Sequence, residues 1–187
     1  MGDPKKQKKK YETPRFPWRT DILQEELKLL GQYGLRNKRE LWRHKTMLSK
    51  FRGIARYLIG KTPEERRKME EELLKRLKKL NIIDEKAVLD NVLDLTIEDI
   101  LERRLQTVVF RKGLAKSTHQ ARQLITHGHI TIGDQRVTVP SYLVGREEEQ
   151  ITYTPQSSLA NPNHPLRQTI AVVTAKEKKT EKGQREK

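Results

Sequence analysis

The chain has 187 residues, 35% of them charged, a formal net charge of +15 and no cysteine. That length suits one or two small domains. The missing thiols exclude disulfides and thiolate zinc sites, and the basic excess calls for a polyanionic partner. No apolar run approaches the roughly 18 residues of a membrane span, and the opening MGDPKKQKKK lacks the apolar stretch of a signal peptide. Nucleic acid, not a membrane, is therefore the expected partner, and the cytoplasm the expected location.

The charge is segregated. Residues 1–60 carry a net +10, 61–102 a net −3, 103–155 a net +4 and 156–187 a net +4. Two basic bodies thus flank an acidic stretch, and a basic tail follows. Solubility alone would not require that pattern.

Residues 1–20 combine a lysine run with Pro14, Phe16, Pro17 and Trp18. The prolines block a helix, and the sequence reads as a basic arm that orders on RNA, with Phe16 and Trp18 stacking or docking. A first helix is expected from Asp21, where Asp21 and Gln24 have capping-box spacing. Leu23, Leu27 and Leu30 supply its apolar stripe, and Gly31 and Gly34 end it.

A second helix is expected from Asn37 to Gly60, with an apolar stripe of Leu41, Met47 or Leu48, Phe51, Ile54 or Ala55, and Leu58. Arg36, Lys38, Arg39, Arg43, Lys50 and Arg56 populate its start and its polar side, and Glu40 is the sole acidic residue in it. A helix that merely meets water mixes signs for i,i+4 pairing, so this face is expected to contact phosphates. Thr62, Pro63 and Glu65 start a third helix whose buried stripe is Met69, Leu73, Leu77 and Leu80. A short helix around Glu85–Val92 follows.

Thr96 and Asp99 cap the next helix, which is expected to run to Gly113 with Leu101, Leu105 and Val108 or Val109 inward. Arg104, Thr107 and Arg111 then fall on an outer face beside Arg103. Ser117 and Gln120 form a capping box for a further helix with Ala121, Leu124 and Ile125 inward; Thr118 and Arg122 lie on one outer line, His119 and Gln123 on another. Its N-terminus offers backbone N–H groups to a phosphate, and Gly128 ends it. Ile130 and Ile132, a Gly133-Asp134-Gln135 loop, and Val137 and Val139 read as a hairpin. Ile151–Tyr153 is a final strand after an acidic turn at Glu147–Glu149, and Ile170–Val173 is a candidate late strand. The chain ends in a charged tail.

The run RRLQTVVFRKGLAKSTHQARQLITHGHITIGDQRVTVPSYLV resembles the RNA-binding fold named after ribosomal protein S-four. The upstream GQYGLRNKRELWRHKTMLSKFRGIARYLIG resembles the helical body of the same family, and GDPKKQKKKYETPRFPWR its archaeal and eukaryotic branch. The resemblance covers nearly all of the chain up to about residue 155. It implies a structural constituent of the small ribosomal subunit that binds small-subunit rRNA directly as a primary assembly protein. It also implies neighbouring ribosomal proteins and mRNA, near where mRNA enters, as partners, and a contribution to translational accuracy. On the module, the resemblance nominates Arg103, Arg104, Arg111, Lys116, Ser117 and Gln120, then Arg122, Gln123, His127, His129 and Arg136, as RNA-binding. The zinc-binding cysteine cluster of some bacterial relatives is not carried over, because this chain has no cysteine.

The expected fold class is α+β: a mainly helical N-terminal body plus a small RNA-binding module of two helices and a short antiparallel strand unit. The expected division is a basic extension over 1–20, the body over 21–102, the module over 103–155 and a basic tail over 156–187. His127 and His129 form an H-x-H, but no third ligand type lies close in sequence, so RNA contact or pairing with a helix C-terminus is expected in place of a metal. An RNA-modifying enzyme carrying the same module would need a separate catalytic domain, and only 32 residues follow position 155. No catalytic residues, cofactor or small-molecule substrate are expected. A ribosome-biogenesis factor is the other reading that fold reasoning leaves open.

Overall fold

The computed structural model describes residues 8–146 and 150–169. In chain order the elements are α1 (Thr20–Tyr33), α2 (Lys38–Ile59), α3 (Pro63–Lys79), α4 (Leu89–Asp94), α5 (Ile97–Glu102), α6 (Leu105–Arg111), α7 (Thr118–Thr126), β1 (Ile130–Ile132), β2 (Gln135–Arg136) and β3 (Ile151–Tyr153). A 3-10 turn follows at Ser158–Ala160. The result is an α+β fold. The chain forms two compact units: residues up to Arg76 with Glu85–Ile100, and Leu77–Asp84 with residues from Leu101 onward. The acidic turn at 147–149, the candidate strand at 170–173, the charged C-terminal tail and the start of the lysine run lie outside the described residues.

In the first unit, α2 is the longest helix. Asn37 caps it, with Oδ1 accepting from the Glu40 N–H at 3.1 Å. Leu41, Leu48, Phe51, Ala55 and Leu58 are buried, so Leu48 and Ala55, not Met47 and Ile54, complete the stripe. His44 and Thr46 are buried as well.

α1 differs from expectation. Its N-cap is Arg19, with no side-chain cap bond, and Asp21 lies inside the first turn, paired to Arg19 Nε at 3.2 Å. Leu27 is 55% exposed, and the residues α1 buries are Glu26 and Tyr33. The cause is tertiary. The Glu26 carboxylate accepts from Trp42 Nε1 at 2.9 Å and pairs with Lys45 Nζ at 3.2 Å and Lys38 Nζ at 3.4 Å, all from α2. A buried charge held by three donors replaces the leucine contact that periodicity alone suggests. At the end of α1, Gly34 adopts a left-handed φ of 59°, a conformation that favours glycine.

α3 starts after Thr62, whose carbonyl accepts from Arg66 N–H at 3.0 Å. Leu73 and Leu77 are buried, whereas Met69 is 47% exposed: the first turns of α3 carry the part-buried i,i+4 ion pair Arg66–Glu70 and no buried apolar stripe.

In the second unit, Leu105, Val108, Val109, Ala121, Leu124, Ile125, Ile130, Ile132, Val144 and Ile151 build one core from α6, α7 and the sheet. The sheet order is β2-β1-β3, antiparallel throughout, with Ile132 opposite both Gln135 and Ile151. The hairpin loop is Gly133-Asp134, with Gln135 already in β2. Val139 is 52% exposed, because pairing of the β2 segment stops before it.

The expected single helix from Thr96 to Gly113 is two helices. Arg104 is extended (φ −68°, ψ 138°) and bridges Leu143. The Leu105 N–H donates to the Tyr142 carbonyl and the Val144 N–H to the Arg103 carbonyl, both at 2.8 Å. These long-range backbone bonds satisfy groups that a continuous helix would satisfy internally, so the helix breaks there.

Candidate RNA interface

That break repositions the first nominated arginines. Arg104 and Thr107, expected on an outer face, are 0% and 2% exposed. The Thr107 hydroxyl donates to the Leu101 carbonyl at 2.8 Å. The Arg104 guanidinium reaches Gln106 Oε1 at 3.4 Å. Gln106, itself fully buried, donates through Nε2 to the Thr118 carbonyl at 3.0 Å and accepts from Arg122 Nη1 at 3.5 Å. A buried amide thus connects Arg104 behind the surface to Arg122 on α7. No periodicity signal marks Gln106, which sits between Leu105 and Thr107 in the sequence.

Arg111 is exposed at the end of α6 and forms an ion pair with Glu102 at 2.6 Å. α7 begins at the expected cap: Ser117 Oγ accepts from the Gln120 N–H at 3.2 Å. Gln120 Oε1 returns to the Lys116 N–H at 2.6 Å, one residue earlier than a standard reciprocal box. Lys116, Ser117, His119 and Gln123 are exposed around this start, and Arg122 and Gln120 are half-buried.

At the other end of α7, Gly128 has φ 74°, and a Cβ there would lie 2.1 Å from Arg136 Nε. The exposed Arg136 guanidinium lies over that glycine and donates to the His127 carbonyl at 3.4 Å, a cation at the negative end of the helix. The His127 and His129 rings are parallel within 6°, with centroids 6.3 Å apart; His127 is exposed, and His129 Nδ1 lies 2.8 Å from Ser157 Oγ. Among the described residues, no three potential ligands cluster as a metal site would need. Likewise, no helix among them is long and apolar enough to cross a membrane.

In the first unit, Arg36, Arg39, Arg43, Lys50 and Arg56 are exposed, while Lys38 is directed into the pair with Glu26. Sequence reasoning passed over Arg76, whose guanidinium lies 5.7 Å from the Phe51 ring centre, and over the placement of Lys8–Lys10 beside α2. It also passed over the exposed Lys112, next to Arg111 in the sequence.

Residues 103–151 match the S4 domain family. The chain is 53% identical over 174 residues to small ribosomal subunit protein uS4 of Thermoplasma volcanium, spanning 91% of this chain and 87% of that one. It is 56% identical over 158 residues to uS4 of Ignicoccus hospitalis, spanning 84% of this chain and 95% of the relative. The chain belongs to the uS4 family. A further relative, uS4 of Thermoplasma acidophilum, is 47% identical over an alignment of 190 residues that spans 100% of this chain and 96% of its own. As a uS4 protein the chain is a ribosomal protein carrying an S4 RNA-binding domain, not an enzyme, and it works in cytoplasmic ribosomes.

Proposed function

We propose that this uS4 protein is a primary binder of small-subunit rRNA that helps nucleate assembly of the 5′ region, borders the path by which mRNA enters the subunit, and contributes to translational accuracy. The chief support is the exposed set of cations and amides at the start of α7, joined by Arg136 at its end, within the segment that matches the S4 domain. Arg and Lys there neutralise phosphates, and the hydroxyl and amide groups reach phosphate or 2′-OH oxygens. Arg103, Arg111 and Arg122 belong to this grip. Arg104 acts from beneath it, through Gln106. The basic side of α2 is the second grip, and the working division of the chain keeps the extension at 1–20, the body at 21–102, the module at 103–155 and the tail at 156–187.

A salt titration of rRNA binding tests the proposal. Log affinity is expected to fall steeply with log salt, by about 0.7–0.9 per phosphate contacted; a slope near zero overturns it. Arg122→Ala is expected to weaken binding and to reduce the slope by about 1. Unchanged affinity at matched salt would remove α7 from the interface. Co-sedimentation with mature small subunits separates a resident protein from a biogenesis factor, which leaves before maturation.

A further inference from the structure

Beside the N-terminal arm lies a cleft with a chemistry of its own. Two contacts fix the arm on α2: the Tyr11 and Trp42 ring centres are 6.1 Å apart, and the Glu12 N–H donates to Thr46 Oγ1 at 2.9 Å. The preceding Lys8, Lys9 and Lys10 thereby line one side of a cleft of about 890 Å³. Arg43 and Lys50 of α2 and Arg76 of α3 add three more cations. Met47, Phe51 and Ile54 provide an apolar lining, and among the described residues no carboxylate lines the cleft. Phe51 is buried under Arg76, whereas Ile54 is 39% exposed.

Cations alone would suit the phosphates of any duplex. An apolar lining beneath them suits something else, because a paired helix keeps its base faces stacked and out of reach. The ligand that offers an apolar face and anionic flanks together is a nucleotide swung out of its stack. The volume lies within the ~300–1,000 Å³ range of small-molecule pockets. We infer that this cleft receives one unpaired nucleotide of the bound RNA, its base against Met47 and Ile54 and its flanking phosphates on the lysines and Arg43. The inference rests on the RNA-binding reading above and adds to it a base-sized site, distinct from phosphate contact along α2.

The test uses the full chain and two labelled RNA hairpins, one fully paired and one identical except for a single bulged adenosine, with binding followed by anisotropy at matched low salt. The parent is expected to bind the bulged hairpin about tenfold tighter. Met47→Ser and Ile54→Ser are each expected to shrink that preference while leaving affinity for the paired hairpin unchanged. Both substitutions keep the charge of the cleft, and Ile54 is partly exposed, so the fold tolerates its change. Equal binding of the two hairpins by the parent, or a preference that survives both substitutions, overturns the inference alone. Failure to bind either hairpin overturns the RNA-binding reading and the cleft with it.

Discussion

Glu26→Ala is expected to destabilise the first unit by about 3 kcal/mol. The Glu26 side chain is 0% exposed, and its carboxylate holds Trp42 Nε1 at 2.9 Å. A hydrogen bond to a charged acceptor contributes about 1.5–3 kcal/mol. The two lysines are 28% and 39% exposed, so water screens them and each ion pair adds less than about 1 kcal/mol. Glu26→Gln keeps an acceptor for the Trp42 N–H and loses only the ion pairs, so it is expected to cost about 1 kcal/mol. Urea unfolding followed by Trp42 fluorescence measures both. Equal losses for the two variants, or no shift in either midpoint, would refute the assignment of Glu26 as the anchor between α1 and α2. Acid adds an independent check. Burial raises the Glu26 pKa, but the Trp42 hydrogen bond and the two ammonium groups outweigh it, and the net places the carboxyl below its ordinary 4.5. The folded state therefore favours the ionised form. Its stabilisation is complete above the ordinary carboxylate range and is lost as pH falls through the lower folded value. The gap between parent and Glu26→Gln should narrow across that same window.

Three further outcomes concern the second unit. Ser117→Ala removes the acceptor for the Gln120 N–H and should cost about 1 kcal/mol of thermal or denaturant stability, while Ser117→Asn should retain most of it. Gly145→Ala places a Cβ 2.2 Å from the Lys79 carbonyl oxygen, and since that neighbour is backbone, a loss of about 1–3 kcal/mol in denaturant unfolding is expected. Burial pushes the Tyr153 phenol above its ordinary 10.0, Arg167 opposing this weakly, and its hydroxyl donates to the Leu114 carbonyl. The stabilisation from that phenol is present below the ordinary value and lost as pH rises through the higher folded one. In ultraviolet titration, Tyr153→Phe should remove a late-ionising step from the curve of the parent.

Local chemistry carried much of the fold into the sequence. Asn37 and Ser117 announce the starts of α2 and α7 through their own side chains, and Gly34 and Gly128 the ends of α1 and α7 through left-handed backbone. What stayed hidden depends on partners distant in the chain. Leu101, Leu105 and Val108 keep helical spacing straight through the break at Arg104, because the Tyr142–Val144 segment that causes the break leaves no mark on that spacing. Arg104 therefore read as an exposed phosphate ligand although it is buried. Glu26 was hidden for a similar reason: a carboxylate on a leucine-rich helix reads as solvated until Trp42 and the two lysines of α2 are placed around it. The cleft beside the arm combines lysines that composition shows with a shape that only folding provides.

The Arg104–Leu143 bridge also bears on how the chain is made. Its two halves lie roughly forty residues apart, so during synthesis α6 emerges well before the segment that fixes its starting angle. Until that segment arrives, nothing local stops α5 and α6 from joining into one continuous helix, which the apolar spacing favours. The native break is then expected late in the growing chain, with Arg104 turning inward after the segment through Val144 has emerged.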